Sequence, residues 1–245
     1  MHQKRTYRNL TQKENLVSFR ASVKETDLFV HATRPFEKIT RDFILRHRGY
    51  IEAYIEKHQN FVTTLNPWRI NGPAPVIVKN MAKAGEKAGV GPMAAVAGAI
   101  AEHVGHGLLS YSDEVIVENG GDVFIKADSP VTVAIYAGGS PLSMQIGLRV
   151  DSARKALSVC TSSGTVGHSF SLGMADAVSV VSESCSLADA AATSICNQIR
   201  SKADIQKSVD FGKSIKGVAG LIVIMGDEIG MWGKLEIVPI HGKKC

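Results

Sequence analysis

Aromatic side chains are scarce in this chain: Phe, Tyr and Trp together make up 6% of its 245 residues. A core must therefore lean on Ala, Val, Ile and Leu. Long apolar runs are missing too. No stretch reaches the roughly 18 residues that a membrane-spanning helix needs. Met1 to Thr11 is polar and basic with no apolar run behind it, unlike a secretory signal. Both absences set the expectation of a cytoplasmic protein with no membrane partner. The four cysteines, Cys160, Cys185, Cys196 and Cys245, form no C-x-x-C pair, which excludes zinc-ribbon and thioredoxin motifs. The first three sit among small or apolar residues and are expected as buried thiols of a reducing compartment. No G-x-G-x-x-G opens a helix, which disfavours a Rossmann site. The net charge of +5 suits anionic ligands. The basic residues are interleaved with acids and form no stripe with aromatics, so nucleic acid is not an expected partner.

What is present looks globular. Hydrophobic residues make up 44% and charged residues 21%, and the length fits one large domain or two small ones. Alternating apolar residues from Leu16 to Val30 predict a hairpin, turning at Lys24–Asp27. Helical spacing from Phe36 to Ile55 predicts a long helix opened by Pro35. Asn66 to Pro75, with three prolines and a glycine, is a connection. Pro92 opens a helix rich in Ala and Gly, which must pack closely, by default against a sheet. Strands are expected at 114–117, 123–126, 131–136, 144–150, 156–160 and 177–181. A helix of small residues follows at 186–199, then strands at 221–225 and 234–238. Strands in hairpins with packed helix pairs argue for an α+β fold of antiparallel sheets. The chain is read as a single domain over 1–245, with sub-domains drawn at 1–75 and 76–245. A faint echo between the two small-residue helices suggests a duplicated unit.

Four places could carry chemistry. Asn119-Gly120-Gly121-Asp122 is a tight turn between strands; its glycines also let the backbone approach a ligand, with Asn119 and Asp122 as hydrogen-bonding flanks. Thr161-Ser162-Ser163-Gly164 is expected as a turn at a strand end, either a polar loop or a clamp for an anion. His168, four residues beyond Gly164, is either an exposed loop histidine or a general base. Asp189 and Thr193, at i and i+4, share a helix face and supply hard oxygens that suit Mg²⁺. The bland alternative is that Asp189 answers its own helix dipole. His103 and His106, three apart, could be a metal pair, but the glycines around them suit a helix end.

Taken together and in order, Asn119–Asp122, Thr161–Gly164, Val178-Ser179-Val180-Val181 and Leu187-Ala188-Asp189-Ala190-Ala191-Ala192-Thr193 resemble the ApbE family of FAD:protein FMN transferases. The match is closest to a compact, uncharacterised cytoplasmic branch and covers residues 114–199. It implies an α+β fold of ββααββ-type units. It implies Mg²⁺ on Asp189 and Thr193, helped by a carbonyl near Gly91–Ala94, and FAD or FMN facing Asn119, Gly120, Gly121, Asp122, Thr161, Ser162, Ser163 and Gly164. In such a transferase the metal holds the FAD pyrophosphate, an acceptor threonine attacks the FMN phosphorus, and AMP leaves. If this chain is an enzyme, it is a transferase or hydrolase acting on the FAD pyrophosphate, with His168 as the candidate catalytic base. The alternative is a non-catalytic accessory protein that binds a flavin or small anion. Beyond the flavin nucleotide, a protein acceptor or redox partner and a homo-oligomer stay open. The family's D-P-x-T-G segment has no counterpart between Thr165 and Asp176, and the K-G-Y-A pattern is replaced by Gly89–Ala94.

Overall fold

The structure, a computed structural model, describes residues 15–165 and 172–240. Its first hairpin pairs β1 (Val17–Val23) with β2 (Thr26–Ala32). The turn is shorter than the sequence pattern predicted: Thr26 and Asp27 are already in β2, and Lys24 takes a positive φ of 51°. Then come α1 (Glu37–Lys57), a one-turn α2 (Asn60–Thr63), α3 (Val76–Ala88), a 3-10 turn (Pro92–Ala95) and α4 (Val96–Leu108). The strands β3 (Val115–Asn119) and β4 (Asp122–Lys126) close this first half.

A small hairpin, β5 (Val131–Ala134) and β6 (Ile146–Val150), leads to the second half. Here β7 (Leu157–Ser162) and β8 (Ala177–Ser182) precede α5 (Cys185–Cys196) and α6 (Ile205–Ser214), and β9 (Val218–Met225) and β10 (Glu228–Gly233) follow them. Last is β11 (Glu236–Pro239). Among the described residues the strands form an eight-stranded sheet, in the order β1-β2-β3-β4-β7-β8-β9-β10, and a three-stranded sheet, β11-β6-β5. Every pairing is antiparallel. The large sheet is thus two consecutive ββ–helices–ββ units laid side by side, which gives the faint internal echo a structural basis. The expected α+β class is what the chain adopts.

The eight-stranded sheet is covered on both faces. Alternation along each strand sends one set of side chains to the helices and the other to the small sheet. Val117, Phe124, Cys160, Val180 and Val223 belong to the helix-side core. Ile116, Val123, Ile125, Val159 and Ile222 belong to the core shared with the small sheet. The long α1, through Ile44, Ile51 and Tyr54, and the hairpin β1–β2 pack into the same helix-side core as α4 and α5.

Small residues decide how close the central helices come. A Cβ on Gly98 of α4 would lie 2.4 Å from the Cys185 carbonyl oxygen and 2.8 Å from Asp189 Cβ, so α4 and α5 touch backbone to backbone there. A Cβ on Gly105 would strike the Phe124 ring, at 2.2 Å. The Ala/Gly helix therefore packs against a sheet face, as expected, and also closely against α5.

Several elements depart from the sequence pattern, which assigned no helix to α2 or α3. α6 had no counterpart in it: it buries only Ile205, Ser208, Val209 and Gly212, with Phe211 partly buried against the core. The tail holds three strands rather than two: β10 carries Gly230 and Gly233, which dilute its strand signal.

Candidate functional site

The β3–β4 turn is two residues long. Asn119 and Asp122 are opposite partners in the ladder, and Gly120 and Gly121 bridge them at φ values of 68° and 119°. Positive φ at both central positions makes glycine the natural occupant. The Gly121 N–H donates to Glu118 Oε1 at 3.2 Å. Asp122 also stands opposite Cys160 of β7. By alternation Asn119, Asp122, Cys160 and Ser162 all face the helices, whereas Thr161 faces the other way.

The helices supply the other wall. Asn119 Nδ2 donates to the Ala97 carbonyl at 3.0 Å. Asp189 Oδ2 accepts from the Gly98 N–H at 2.8 Å. Ala97 and Gly98 lie in the first turn of α4, whose N–H groups lack intrahelical partners. Asp189 therefore answers a helix dipole, but that of the antiparallel neighbour α4 and not of its own helix. The arrangement is reciprocal. Glu102 of α4 takes three hydrogen bonds on Oε2 at the start of α5: from the Ser186 N–H (3.0 Å), Ser186 Oγ (2.8 Å) and Ser184 Oγ (3.4 Å). α5 starts one residue earlier than the sequence pattern suggested, at Cys185, because Ser184 is its N-cap, accepting from the Leu187 N–H.

Electrostatics separate this corner from the rest of the chain. Burial pushes the Asp122 carboxyl well above the ordinary carboxylate value, and the negative charge of Asp189 adds to the push; the Cys160 thiol and the Thr161 N–H oppose it. Burial also pushes Asp189 up to about 7, against the pull of the Gly98 and Ala97 N–H groups. A rim of Asp189 meets solvent, and water there screens part of this effect. Beside the pair, Cys160 Sγ lies 3.5 Å from Cys185 Sγ and 3.4 Å from the Cys185 carbonyl. Both thiols are buried and free, as the composition predicted, and burial raises both pKa values.

The structure brings the expected residues together unevenly. Asn119 and Asp189 converge on the first turn of α4, and Asp122 lies close enough to Asp189 to feel its charge. Thr193 is buried one turn beyond Asp189 on α5. The Thr161–Gly164 segment is not a single turn: Thr161 and Ser162 are the last residues of β7. Thr161 Oγ1 bonds Ser179 Oγ at 2.8 Å on the face away from the helices. Ser162 is buried on the helix side, and its Oγ has no hydrogen-bond partner among the described residues. The loop itself begins at Ser163, and the Gly164 N–H is held by the Ala175 carbonyl at 2.9 Å. A Cβ on Gly164 would overlap the Gly173 carbonyl, at 1.9 Å. His168 lies outside the described residues. The Gly91 carbonyl, near which a further metal ligand was expected, accepts the Ala94 N–H at 3.2 Å.

His103 and His106 do not converge. His103 Nε2 is 3.1 Å from Asn80 Nδ2, and its ring lies 4.9 Å from that of His47. His106 packs edge-on against Phe124. Among the described residues no three His, Cys, Asp or Glu side chains are grouped to hold a metal. Glu102, Gly98 and the Cys160–Cys185 contact were not singled out as site features from the sequence. The one signal for Gly98 was the Ala/Gly texture of its helix.

Among the described residues no helix is long and apolar enough to cross a membrane. The chain resembles two sets of known proteins. UPF0280 proteins from Methanococcus vannielii and Methanococcus aeolicus are 43% and 41% identical to it, over 94% and 90% of this chain and 95% and 91% of theirs. The apo flavinyl transferase ApbE of Pseudomonas stutzeri shares its fold at a TM-score of 0.61 and 14% identity, covering 89% of this chain and 94% of that one. The flavin transferase ApbE of Vibrio cholerae, as an H257G mutant, does so at 0.57 and 12% identity, covering 89% and 96%. The family model described as "AbpE bacteria" matches residues 8–228, nearly the whole chain, and the protein belongs to that ApbE-like family.

Proposed function

We propose that this protein binds a flavin nucleotide, FAD or FMN, together with Mg²⁺ at the corner between the β3–β4 turn and the α4/α5 crossing, and that it acts on the FAD pyrophosphate as a transferase or hydrolase. One observation carries the reading: burial raises the proton affinity of both Asp122 and Asp189, the charge of Asp189 raises that of Asp122 further, and Asp189 is held against the first turn of α4. No Lys or Arg is among the groups that shift them. A divalent cation is the counter-charge such a pair favours. The donor chemistry fits Mg²⁺ rather than a softer metal. Mg²⁺ takes one or two carboxylates and keeps several waters, so it does not need three grouped His, Cys or acidic ligands.

In this reading Asp189 and Thr193 hold the metal, which would neutralise charge on the pyrophosphate. The Gly120-Gly121 backbone has no Cβ to block a close approach by the nucleotide. Asn119 and Asp189 fix the start of α4, whose N-terminal dipole favours an anion. Ser162 Oγ, buried without a partner, is available to a ligand on the helix side. His168 remains the proposed base.

The test is direct. Purified protein with FAD and MgCl₂ is expected to release AMP, with FMN either freed or carried by an acceptor protein. Asp189→Asn is expected to abolish the release while the protein stays folded. If wild type releases neither AMP nor FMN and modifies no acceptor, the enzymatic reading fails. A second reading then stands on a specific departure, the missing D-P-x-T-G segment between Thr165 and Asp176. That reading is an accessory protein which retains a flavin without turnover. It requires FAD or FMN to raise the melting temperature; no shift with either would sink it too.

A further inference from the structure

The eight-stranded sheet ends on two unlike edges. At β1 the edge is polar: Arg20 pairs with Asp27, and Ser22 Oγ donates to the same carboxylate at 2.8 Å. At the other end, among the described residues, β10 has β9 as its one strand neighbour. Ile229 and Met231 share a face there at 41% and 46% exposure, and no charge interrupts the strand between Glu228 and Lys234. Such an edge offers its free N–H and C=O groups to another strand.

We propose that β10 pairs antiparallel with β10 of a second copy of this chain, about a twofold axis through Met231. Joining two sheets edge to edge about an axis perpendicular to them keeps each face on its own side. Opposed residues must then share a face, so positions of like parity meet. Two registers centre on the strand. With Gly230 on the axis, Glu228 would face Trp232 of the second copy and gain no charge partner. With Met231 on the axis, Glu228 faces Lys234 of the second copy, Ile229 faces its Gly233 and Gly230 faces its Trp232. That register sets an ion pair at each end and a large side chain against each glycine. Lys234, the first residue beyond β10, is exposed, and Glu228, which already meets Lys202 of its own chain at 3.3 Å, keeps 53% of its side chain in solvent for a second pair. The segment is its own complement, in charge and in shape, and this favours a second copy over a foreign strand.

Light scattering on the eluting protein, across concentrations, tests the proposal. Wild type is expected to form dimers. Glu228→Lys and Lys234→Glu should each weaken dimerisation by about tenfold or more, since each sets like charges together twice. The double reversal should restore it. Met231→Lys, which opposes two lysines on the axis, should give a monomer with an unchanged melting profile. In a Cys245→Ser background, Met231→Cys should form a disulfide-linked dimer with oxidised glutathione, and Ile229→Cys should not. A wild type that stays monomeric overturns the proposal. So does a dimer indifferent to the charge reversals, or one that cross-links more readily through position 229. If Met231→Lys unfolds, the charge reversal and its restoration still decide.

Discussion

Two carboxylates in this protein have the same kind of placement and different consequences. Glu102 of α4 and Asp189 of α5 each reach across one antiparallel contact to the first turn of the other's helix. Both are half-buried. Glu102 is met by donors only, two hydroxyls and an N–H, so its charge has an evident structural use. Asp189 has a helix N-terminus on one side and a second buried acid, Asp122, on the other. Helix N-H groups alone would hold its pKa down; burial wins and takes it to about 7. The same capping geometry thus makes one corner a clasp and the other a place where an anion's counter-ion is wanted. A strongly shifted group in a specific charge environment marks a functional candidate, whereas a satisfied cap does not.

The largest effect is expected where both corners would break together. Gly98→Ala puts a methyl group 2.4 Å from a backbone carbonyl that cannot step aside. Overpacking of this kind costs about 3 kcal/mol, or roughly 6–12 °C of melting temperature in a chain of this size. Thermal unfolding measures it, and a loss below a few degrees would mean that the two helices are not in backbone contact. Separating the corners comes next. Glu102→Ala should lose about 1–2 kcal/mol, the worth of a helix cap with its charge-assisted hydrogen bonds, and should keep the full stabilisation by FAD and Mg²⁺. Asp189→Asn should do the reverse, keeping its fold and losing the ligand response. Equal ligand responses in the two variants would erase the distinction drawn between them.

How much of this was legible beforehand follows from sequence distance. The Gly120-Gly121 turn is a local event, and its flanking Asn119 and Asp122 are recognisable as ladder partners without a structure. The i, i+4 placement of Asp189 and Thr193 follows from helix geometry alone. What Asp189 touches does not: its partner Gly98 is 91 residues away, and Glu102 is 84 from Ser186. No local periodicity encodes a reciprocal contact of that span. Thr161 and Ser162 have turn-like composition, yet pairing with Ser179 and Val178 of β8 draws them into the sheet and onto opposite faces. Gly212 hid α6 for a related reason. It disrupts the helical apolar pattern, and the cause is tertiary: a Cβ there would meet Leu221 at 2.4 Å and Ile195 at 2.7 Å.

The pH dependence of stability offers a finer separation. In metal-free protein, with EDTA present, folding raises the pKa of Asp189 from the ordinary carboxylate range, near 3.9, to about 7. Across that window the native state holds a proton that the unfolded chain has lost. The unfolded state binds fewer protons, so stability must fall as pH rises from about 4 to about 7. Asp189→Asn removes the titration. Its melting temperature relative to wild type should therefore climb between pH 5 and pH 8. A flat difference for Asp189→Asn would mean that its carboxylate is already compensated without a cation.

The smallest expected effect concerns the clamp on the far side of the α4 start. Asn119→Ala removes the 3.0 Å hydrogen bond to the Ala97 carbonyl and leaves the two-glycine turn in place. Net loss of a neutral hydrogen bond is about 1 kcal/mol. Ala97 O also faces the next turn of its own helix, so it is not left without a partner and the cost stays at that level. The informative quantity is the coupling with Asp189→Asn. Both side chains grip adjacent residues of one helix turn, so the double variant should lose less ligand response than the sum of the two singles. Strict additivity would mean that Asn119 and Asp189 serve separate sites, and the corner would divide into two.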